Sequence, residues 1–260
     1  MRPTVRQVLL AAAAALLLAL VGAVGLVASE FRGLSPVVDG QPLGNLGYIV
    51  QDGYTSLAVL DAGDRQLVLV DAGNDPAGVA VLAALAAHGQ APEQVTAILL
   101  THGHRDHVAA TPRFPLARVY GLAAEAPFLA GEQPFRGPLP RLFGAVDTGV
   151  RLSRALRDGE EVTVGTLSAR VYAVPGHTAG SAAWSVGRFL FLGDSGSATV
   201  QGQLVGAPWV FSDDEAQNVA SLHALAARLQ QEDVVPDRIV MSHTGVLPGA
   251  ALRGLASVRR

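Results

Sequence analysis

The sequence predicts a mixed α/β (α+β) domain in which two β-sheets pack together with helices outside, preceded by an N-terminal hydrophobic helix. Three observations predict it. Short apolar stretches bounded by Gly, Asp and Pro alternate with apolar helical stretches. The two halves of the chain follow the same style, strands and then a helix, without a repeat of fixed short period. Histidines and aspartates collect just past the ends of several strands.

Residues 1–29 read as a signal peptide or an N-terminal membrane anchor. Arg2 and Arg6 precede an unbroken apolar run of 21 residues, Val8 to Ala28. A spanning helix needs about 20 apolar residues and a cleaved signal has a core of about 7–15, so length favours an uncleaved anchor. The alanine-rich composition and the small-residue sites Val27-Ala28-Ser29 and Val21-Gly22-Ala23 favour a cleaved signal. A buried core helix would carry a polar face, which this run lacks. Either leading reading leaves the rest of the chain outside the cytoplasm, membrane-anchored or secreted into the periplasm or beyond.

Residues 30–45, punctuated by Gly33, Pro36, Gly40, Pro42 and Gly44, read as a linker to a catalytic domain over 46–260. Leu46–Val50 and Ser56–Leu60 flank a turn at Asp52-Gly53, and Gln66–Val70 follows a second turn, an antiparallel meander. Pro76–His88 is an alanine- and leucine-rich helix closed by Gly89. Gln94–Leu100 is a buried strand running into a histidine motif. In the second half, Val162–Val164 and Leu167–Val174 are strands. Ala182–Val186 and Phe189–Leu192 form a hairpin around Gly187-Arg188, Glu215–Leu229 is an amphipathic helix, and Arg238–Met241 is a last strand.

Composition narrows the chemistry. The chain is 50% hydrophobic and 16% charged, which excludes a disordered protein. It has no cysteine, so disulfides, thiolate catalysis and thiolate metal ligands are excluded together. Every one of the 19 basic residues is arginine. Beyond residue 29 there are 17 arginines against 22 acids, a formal net of −5 with no basic run, so nucleic acid is not an expected partner. Oligomeric state is not legible here.

Four short motifs stand out, and three of them hold five of the seven histidines. The first is Thr101-His102-Gly103-His104-Arg105-Asp106-His107, an H-x-H-x-D-H pattern. The others are Pro175-Gly176-His177-Thr178, Leu192-Gly193-Asp194-Ser195 and Met241-Ser242-His243-Thr244. In an extended segment alternate side chains share a face, so His102 and His104 can grip one ion together. Asp106 and His107 follow as the chain turns into a short helix, limited by Thr111-Pro112, and can point at a second ion. His177 and His243 arrive from other strand ends, and Asp194, with two oxygens, can bridge. Imidazole and carboxylate together suit zinc, with iron or manganese as alternatives. Two ions about 3.5–4 Å apart can share a water and drive its pKa toward 7, giving a bridging hydroxide that attacks a carbonyl or phosphoryl centre. Asp106 is the expected catalytic carboxylate, orienting that hydroxide and taking its proton.

This ordered set resembles that of the metallo-β-lactamase-fold hydrolases over roughly residues 46–245. The resemblance implies a four-layered αβ/βα sandwich with metals at one edge of the paired sheets. It also implies His102, His104 and His177 on one metal, Asp106, His107 and His243 on the other, and Asp194 between them. All seven positions are filled. True β-lactamases of this fold generally lack the bridging aspartate, so Asp194 makes the chain more similar to the glyoxalase II, lactonase and phosphodiesterase branches. A glyoxalase II carries a C-terminal helical domain, whereas only 17 residues follow His243. The expected activity is therefore hydrolysis of an ester, lactone, thioester or related small substrate. The alternatives are an exported β-lactam-degrading enzyme and a non-catalytic metal-binding module.

Further residues carry two readings each. Asp71 resembles the family's buttressing acid, which holds a ligand imidazole by hydrogen bond, or is a plain turn aspartate. Tyr54 overhangs the metals from a hairpin loop, or is a surface tyrosine. The stretch 127–149, with Phe128, Phe135 and Phe143, is an apolar wall or lid, or a packing insertion. His88 reads as a helix-end histidine, His223 as structural, and Trp184 and Trp209 as core or rim.

Overall fold

The computed structural model describes residues 3–255, so Arg2 and the last five residues of the expected domain lie outside the described residues. The chain divides into two compact units, Met1–Gly33 and Leu34–Arg260.

The first unit is one helix, α1 (Val5–Glu30). Thr4 caps it: its hydroxyl accepts from Gln7 N–H at 3.3 Å while the Gln7 side chain accepts from Thr4 N–H at 2.9 Å. The helix is 26 residues long, with none of its apolar window buried. At 1.5 Å per residue it extends about 39 Å, enough for a hydrocarbon core of about 30 Å. It has the length and apolarity of a membrane span or a signal sequence.

The second unit is a sandwich of two six-stranded sheets. Sheet one comprises β1 (Gly47–Asp52), β2 (Thr55–Asp61), β3 (Leu67–Val70), β4 (Val95–Leu99), β5 (Arg118–Leu122) and β6 (Arg154–Leu156), paired in that order. Strands β1 to β3 form the expected antiparallel meander, and β3 to β6 run parallel. The helices α2 (Val79–Ala87), α3 (Arg105–Val108) and α4 (Ala126–Leu129) fall between these strands. The second sheet holds β7 (Glu161–Val164), β8 (Leu167–Ala173), β9 (Ala182–Val186) and β10 (Phe189–Gly193). Beyond the small hairpin β11 (Gly196–Ala198) and β12 (Leu204–Gly206) come α5 (Glu215–Gln231), β13 (Arg238–Met241) and β14 (Leu247–Pro248). The order of the second sheet is β14-β13-β10-β9-β8-β7.

Alternation of side chains makes the layers. In β2, Ala58 and Leu60 face the second sheet, where Val171, Trp184 and Phe191 meet them; Leu57 and Val59 face the opposite way, toward Val81 and Leu85 of α2. Both faces of these strands are buried, which is why they read as continuous apolar runs. On the far side, Leu190, Leu192 and Ile239 pack on Leu222, Leu225 and Leu229 of α5. The order is helix, sheet, sheet, helix: the αβ/βα sandwich. Trp184, fully buried, donates its indole N–H to the Leu100 carbonyl at 2.9 Å and joins the sheets.

Some boundaries differ from the sequence expectation. Helix α2 starts at Val79 rather than Pro76, because Asp75 accepts from the N–H groups of Ala77 and Val79 and Gly78 takes φ 65°. Within 30–45, Leu43 is 1% exposed in the inter-sheet core, and Leu34 and Pro42 bridge to Thr199 and Tyr48. Strands β5, β6, β11, β12 and β14 and the short helix α4 are additions to the reading above.

Candidate metal centre

Strands β3 and β4 are parallel, as are β8, β10 and β13, and each delivers its polar motif just past its carboxyl end. Asp71 follows β3, the His102–His107 motif follows β4, and His177, Asp194 and His243 follow β8, β10 and β13. The topology therefore collects at one edge seven side chains spread over 142 positions of sequence, from His102 to His243.

They form two groups. His102, His104, His177 and Asp194 place one donor atom each within 4.8 Å of one another, and so do Asp106, His107 and His243. In the first group, His104 Nδ1 lies 3.0 Å from both His102 Nε2 and His177 Nε2, and those two are 3.2 Å apart. Three nitrogens around a tetrahedral ion at 2.0 Å would stand roughly 3.3 Å apart, so the triangle is of the right size. In the second, Asp106 Oδ2 is 3.3 Å from His243 Nε2 and 3.6 Å from His107 Nε2. Asp194 stands between the groups: Oδ2 is 3.0 Å from His243 Nε2 and 3.6 Å from His177 Nε2, and Oδ1 is 3.3 Å from His107 Nε2.

Hydrogen bonds behind the rings decide which nitrogen faces inward. His107 Nδ1–H donates to Asp71 Oδ2 at 2.8 Å, and His243 Nδ1–H to the Tyr54 carbonyl at 2.8 Å. The Thr101 hydroxyl gives its proton to Asp71 Oδ2 at 2.7 Å, so at 3.1 Å it accepts from His102 Nδ1–H. Ser212 Oγ donates to the Pro208 carbonyl at 2.7 Å and accepts from His177 Nδ1–H at 3.2 Å. In their neutral forms all four rings thus turn an unprotonated Nε2 toward the centre. His104 is reversed, with Nδ1 inward and its buried Nε2 without a hydrogen-bond partner, and the ring centroid lies 4.3 Å from that of Phe135.

Two of the inner atoms lack hydrogen-bond partners. His107 Nε2 and Asp194 Oδ1 are buried and make no hydrogen bond. Lone pairs of three imidazoles converging on one point are unfavourable without a cation among them. Charges agree. Burial holds His102 well below its usual range, His104 down to about 3 and His177 down to about 4, so this trio is neutral. Burial opposes charge on His243 too, but Asp194 and Asp106 outweigh it and lift the ring to about 10; with Asp71 added they hold His107 well above normal. Burial would raise the Asp106 carboxyl, yet His107 and His243 bring it to about 2; Asp194, with the same two neighbours, stays well below the usual carboxylate range. The donors, their burial and the orphaned atoms fit divalent cations.

Asp71 is a buttress, 1% exposed, accepting also from Thr101 N–H at 2.8 Å. Tyr54, 65% exposed, lies parallel to His243 with ring centroids 5.8 Å apart, its hydroxyl 3.2 Å from Asn74 Oδ1. The three phenylalanines of 127–149 have three fates: Phe128 is buried and stacks on Phe135, Phe135 lines the site, and Phe143 is exposed. His88 stacks on Tyr48 at 3.9 Å, His223 is exposed on α5, and neither joins the groups. Trp184 is core and Trp209 half-buried. Sequence reasoning missed Ser212, for which no signal exists, and Glu125, an acid set within the apolar run Leu122–Leu129.

Known proteins agree with this geometry. The profile of the metallo-beta-lactamase superfamily matches residues 50–243. A hydroxyacylglutathione hydrolase of Fuscovulum blasticum is 36% identical over 194 residues, 73% of this chain and 61% of that protein. A second, from Cupriavidus taiwanensis, is 38% identical over 138 residues, 50% of this chain and 45% of that protein. The chain thus spans less than two thirds of the length of these relatives. Among solved structures, a B3 metallo-beta-lactamase with an active-site glutamic acid superposes with a TM-score of 0.63 at 24% identity, covering 88% of this chain and 89% of that one. A subclass B3 enzyme of Bradyrhizobium japonicum gives 0.59 at 21% identity, covering 82% and 81%. A profile match that takes in all seven converging side chains, on a sandwich shared with these structures, makes this chain a member of the metallo-beta-lactamase superfamily.

Proposed function

We propose that the protein is a dinuclear metal-dependent hydrolase acting on an ester, lactone, thioester or related small substrate. His102, His104 and His177 would hold one ion, Asp106, His107 and His243 the other, with Asp194 between the two. Zinc fits the His and Asp donors best, and iron or manganese are alternatives. When bound, the pair supplies water activation at neutral pH and polarisation of the substrate oxygen.

The chain's own residues do the rest. Asp194 balances the charge of both groups at once. Asp106, brought to about 2 and so ionised at neutral pH, orients the attacking water, accepts its proton and gives it to the leaving oxygen or sulfur of the substrate. Tyr54 beside His243 and Phe135 beside His104 give the substrate two aromatic walls. The names of the Fuscovulum and Cupriavidus relatives support a thioester among the substrates to be tried. Helix α1, apolar from Val8 to Ala28 and with none of its apolar window buried, serves as anchor or export signal and leaves the hydrolase outside the cytoplasm.

The observation that carries this reading is the set of five imidazoles whose tautomers leave every inner nitrogen facing a carboxylate or another inner nitrogen. The test is one preparation of the full chain assayed for bound metal and for turnover of an ester, lactone, thioester, phosphodiester and β-lactam panel. Two ions with turnover of an acyl substrate support it. Two ions without hydrolysis favour a binding module, and nitrocefin as the best substrate favours the β-lactam alternative.

A further inference from the structure

The loop bearing His102 and His104 follows β4 of one sheet, and the loop bearing His177 follows β8 of the other. Nothing covalent sets their separation, yet His104 Nδ1 and His177 Nε2 stand 3.0 Å apart. One side chain holds both loops. Glu125, 2% exposed, lies at the start of α4. Its Oε1 accepts from Gly103 N–H, between the two histidines, at 2.6 Å. Its Oε2 accepts from Gly180 N–H at 3.0 Å and from the hydroxyl of Thr178, next to His177, at 2.9 Å. The loops are shaped around it. A Cβ on Gly103 would lie 3.0 Å from Oε1, and one on Gly180 would lie 2.5 Å from Oε2 and 2.4 Å from Glu125 N. A carboxylate buried this deeply is costly unless its oxygens are satisfied, and here two backbone N–H groups and a hydroxyl satisfy them. Burial pushes the carboxyl up to about 7 against the pull of those donors.

We propose that Glu125 is a positioning residue for the first metal site, clamping the β4 and β8 loops so that His102, His104 and His177 converge on a single ion. It faces loop backbone and Thr178, not the donor atoms, and acts through the loops. The inference rests on the two-ion reading above and has its own point of failure. A protein that binds no metal at all refutes that reading; a wild type that binds two ions isolates the role of Glu125.

The test is metal affinity of the full chain in detergent, with cobalt(II) as the probe, read by chelator competition and visible absorption. Glu125→Gln keeps the volume but turns an NH₂ toward groups that donate. It is expected to weaken the first ion about 10–100-fold, the range for loss of a group that orients ligands, while the second changes by less than about threefold. The cobalt bands of the first site should change with it. Thr178→Val removes one of the three donors at nearly constant shape and should weaken the first ion about 3–10-fold by the same readout. If Glu125→Gln does not fold, Thr178→Val decides the matter. Unchanged affinity for both ions, or equal weakening of both, overturns the proposal, since a merely structural role would not discriminate between them.

Discussion

His107 and Asp71 stand 36 residues apart in sequence and 2.8 Å apart in the fold, Nδ1 to Oδ2, both almost wholly buried. Asp71 reaches this position with φ at 62°, a left-handed conformation unusual for a residue with a Cβ. Its two oxygens satisfy three donors: the Thr101 N–H, the Thr101 hydroxyl and the His107 ring. One aspartate thereby fixes a ring of the second group directly and, through Thr101, the tautomer of His102 in the first.

Asp71→Ala leaves those three donors buried without an acceptor. Stability should fall by roughly 3–5 kcal/mol, as when one partner of a buried charged pair is lost, and metal affinity by about 10–100-fold. Asp71→Asn retains an acceptor and should be milder in both. Denaturant melts and chelator competition measure the two quantities. A loss under about 1 kcal/mol with metal affinity intact is what an ordinary turn aspartate would give.

Asp194→Asn removes the charge shared by the two groups. Metal occupancy and turnover should drop together, by at least about tenfold in turnover, since the contact that depends on charge acts in binding and in chemistry alike. Metal analysis and kinetics on one preparation check it. Full retention of both shows that the site does not hold two ions.

Metal uptake should release protons and strengthen as pH rises. In the metal-free protein His243 is lifted to about 10 and His107 is held well above normal, so both rings carry protons at pH 7. Their contribution to the metal-free fold is complete below the ordinary histidine range and is lost as pH rises through the raised values. A cation replaces those protons, about two per protein at pH 7. Calorimetry in buffers of different ionisation heat reads the number directly. Zero release means that these rings are not ligands.

His88→Ala should leave turnover within about twofold, because the ring stacks on Tyr48 at the end of α2 and belongs to neither donor group. Stability should change by about 0.5–1.5 kcal/mol, the range for one aromatic pair. Steady-state rates and a thermal melt test it, and a large loss of turnover would tie that helix end to the chemistry.

The parts legible in the sequence were those fixed by short-range rules. Short apolar runs bounded by turn residues placed the meander and the inter-sheet strands, and ligand-type residues at strand ends marked the edge where His102, His177, Asp194 and His243 meet. What escaped was set by partners distant in sequence. Leu43 lies in a stretch rich in Gly and Pro, and only the packed sheets make it core. Strand β6 has three residues, too few for a period to show, and among the described residues pairs with β5 alone. Glu125 answers backbone N–H groups 22 and 55 residues away, and backbone donors leave no trace in sequence. Ser212 owes its role to the Pro208 carbonyl, which takes its proton and leaves the oxygen free to accept from His177.

Anomalous diffraction at the zinc edge, on crystals grown with zinc, asks most directly whether five imidazoles and two carboxylates share two ions. The predicted result is two peaks, one about 2.0–2.2 Å from nitrogens of His102, His104 and His177, the other equally close to Asp106, His107 and His243, with Asp194 reaching toward both. A single peak, no peak, or His177 or His243 turned away from the metal would contradict it.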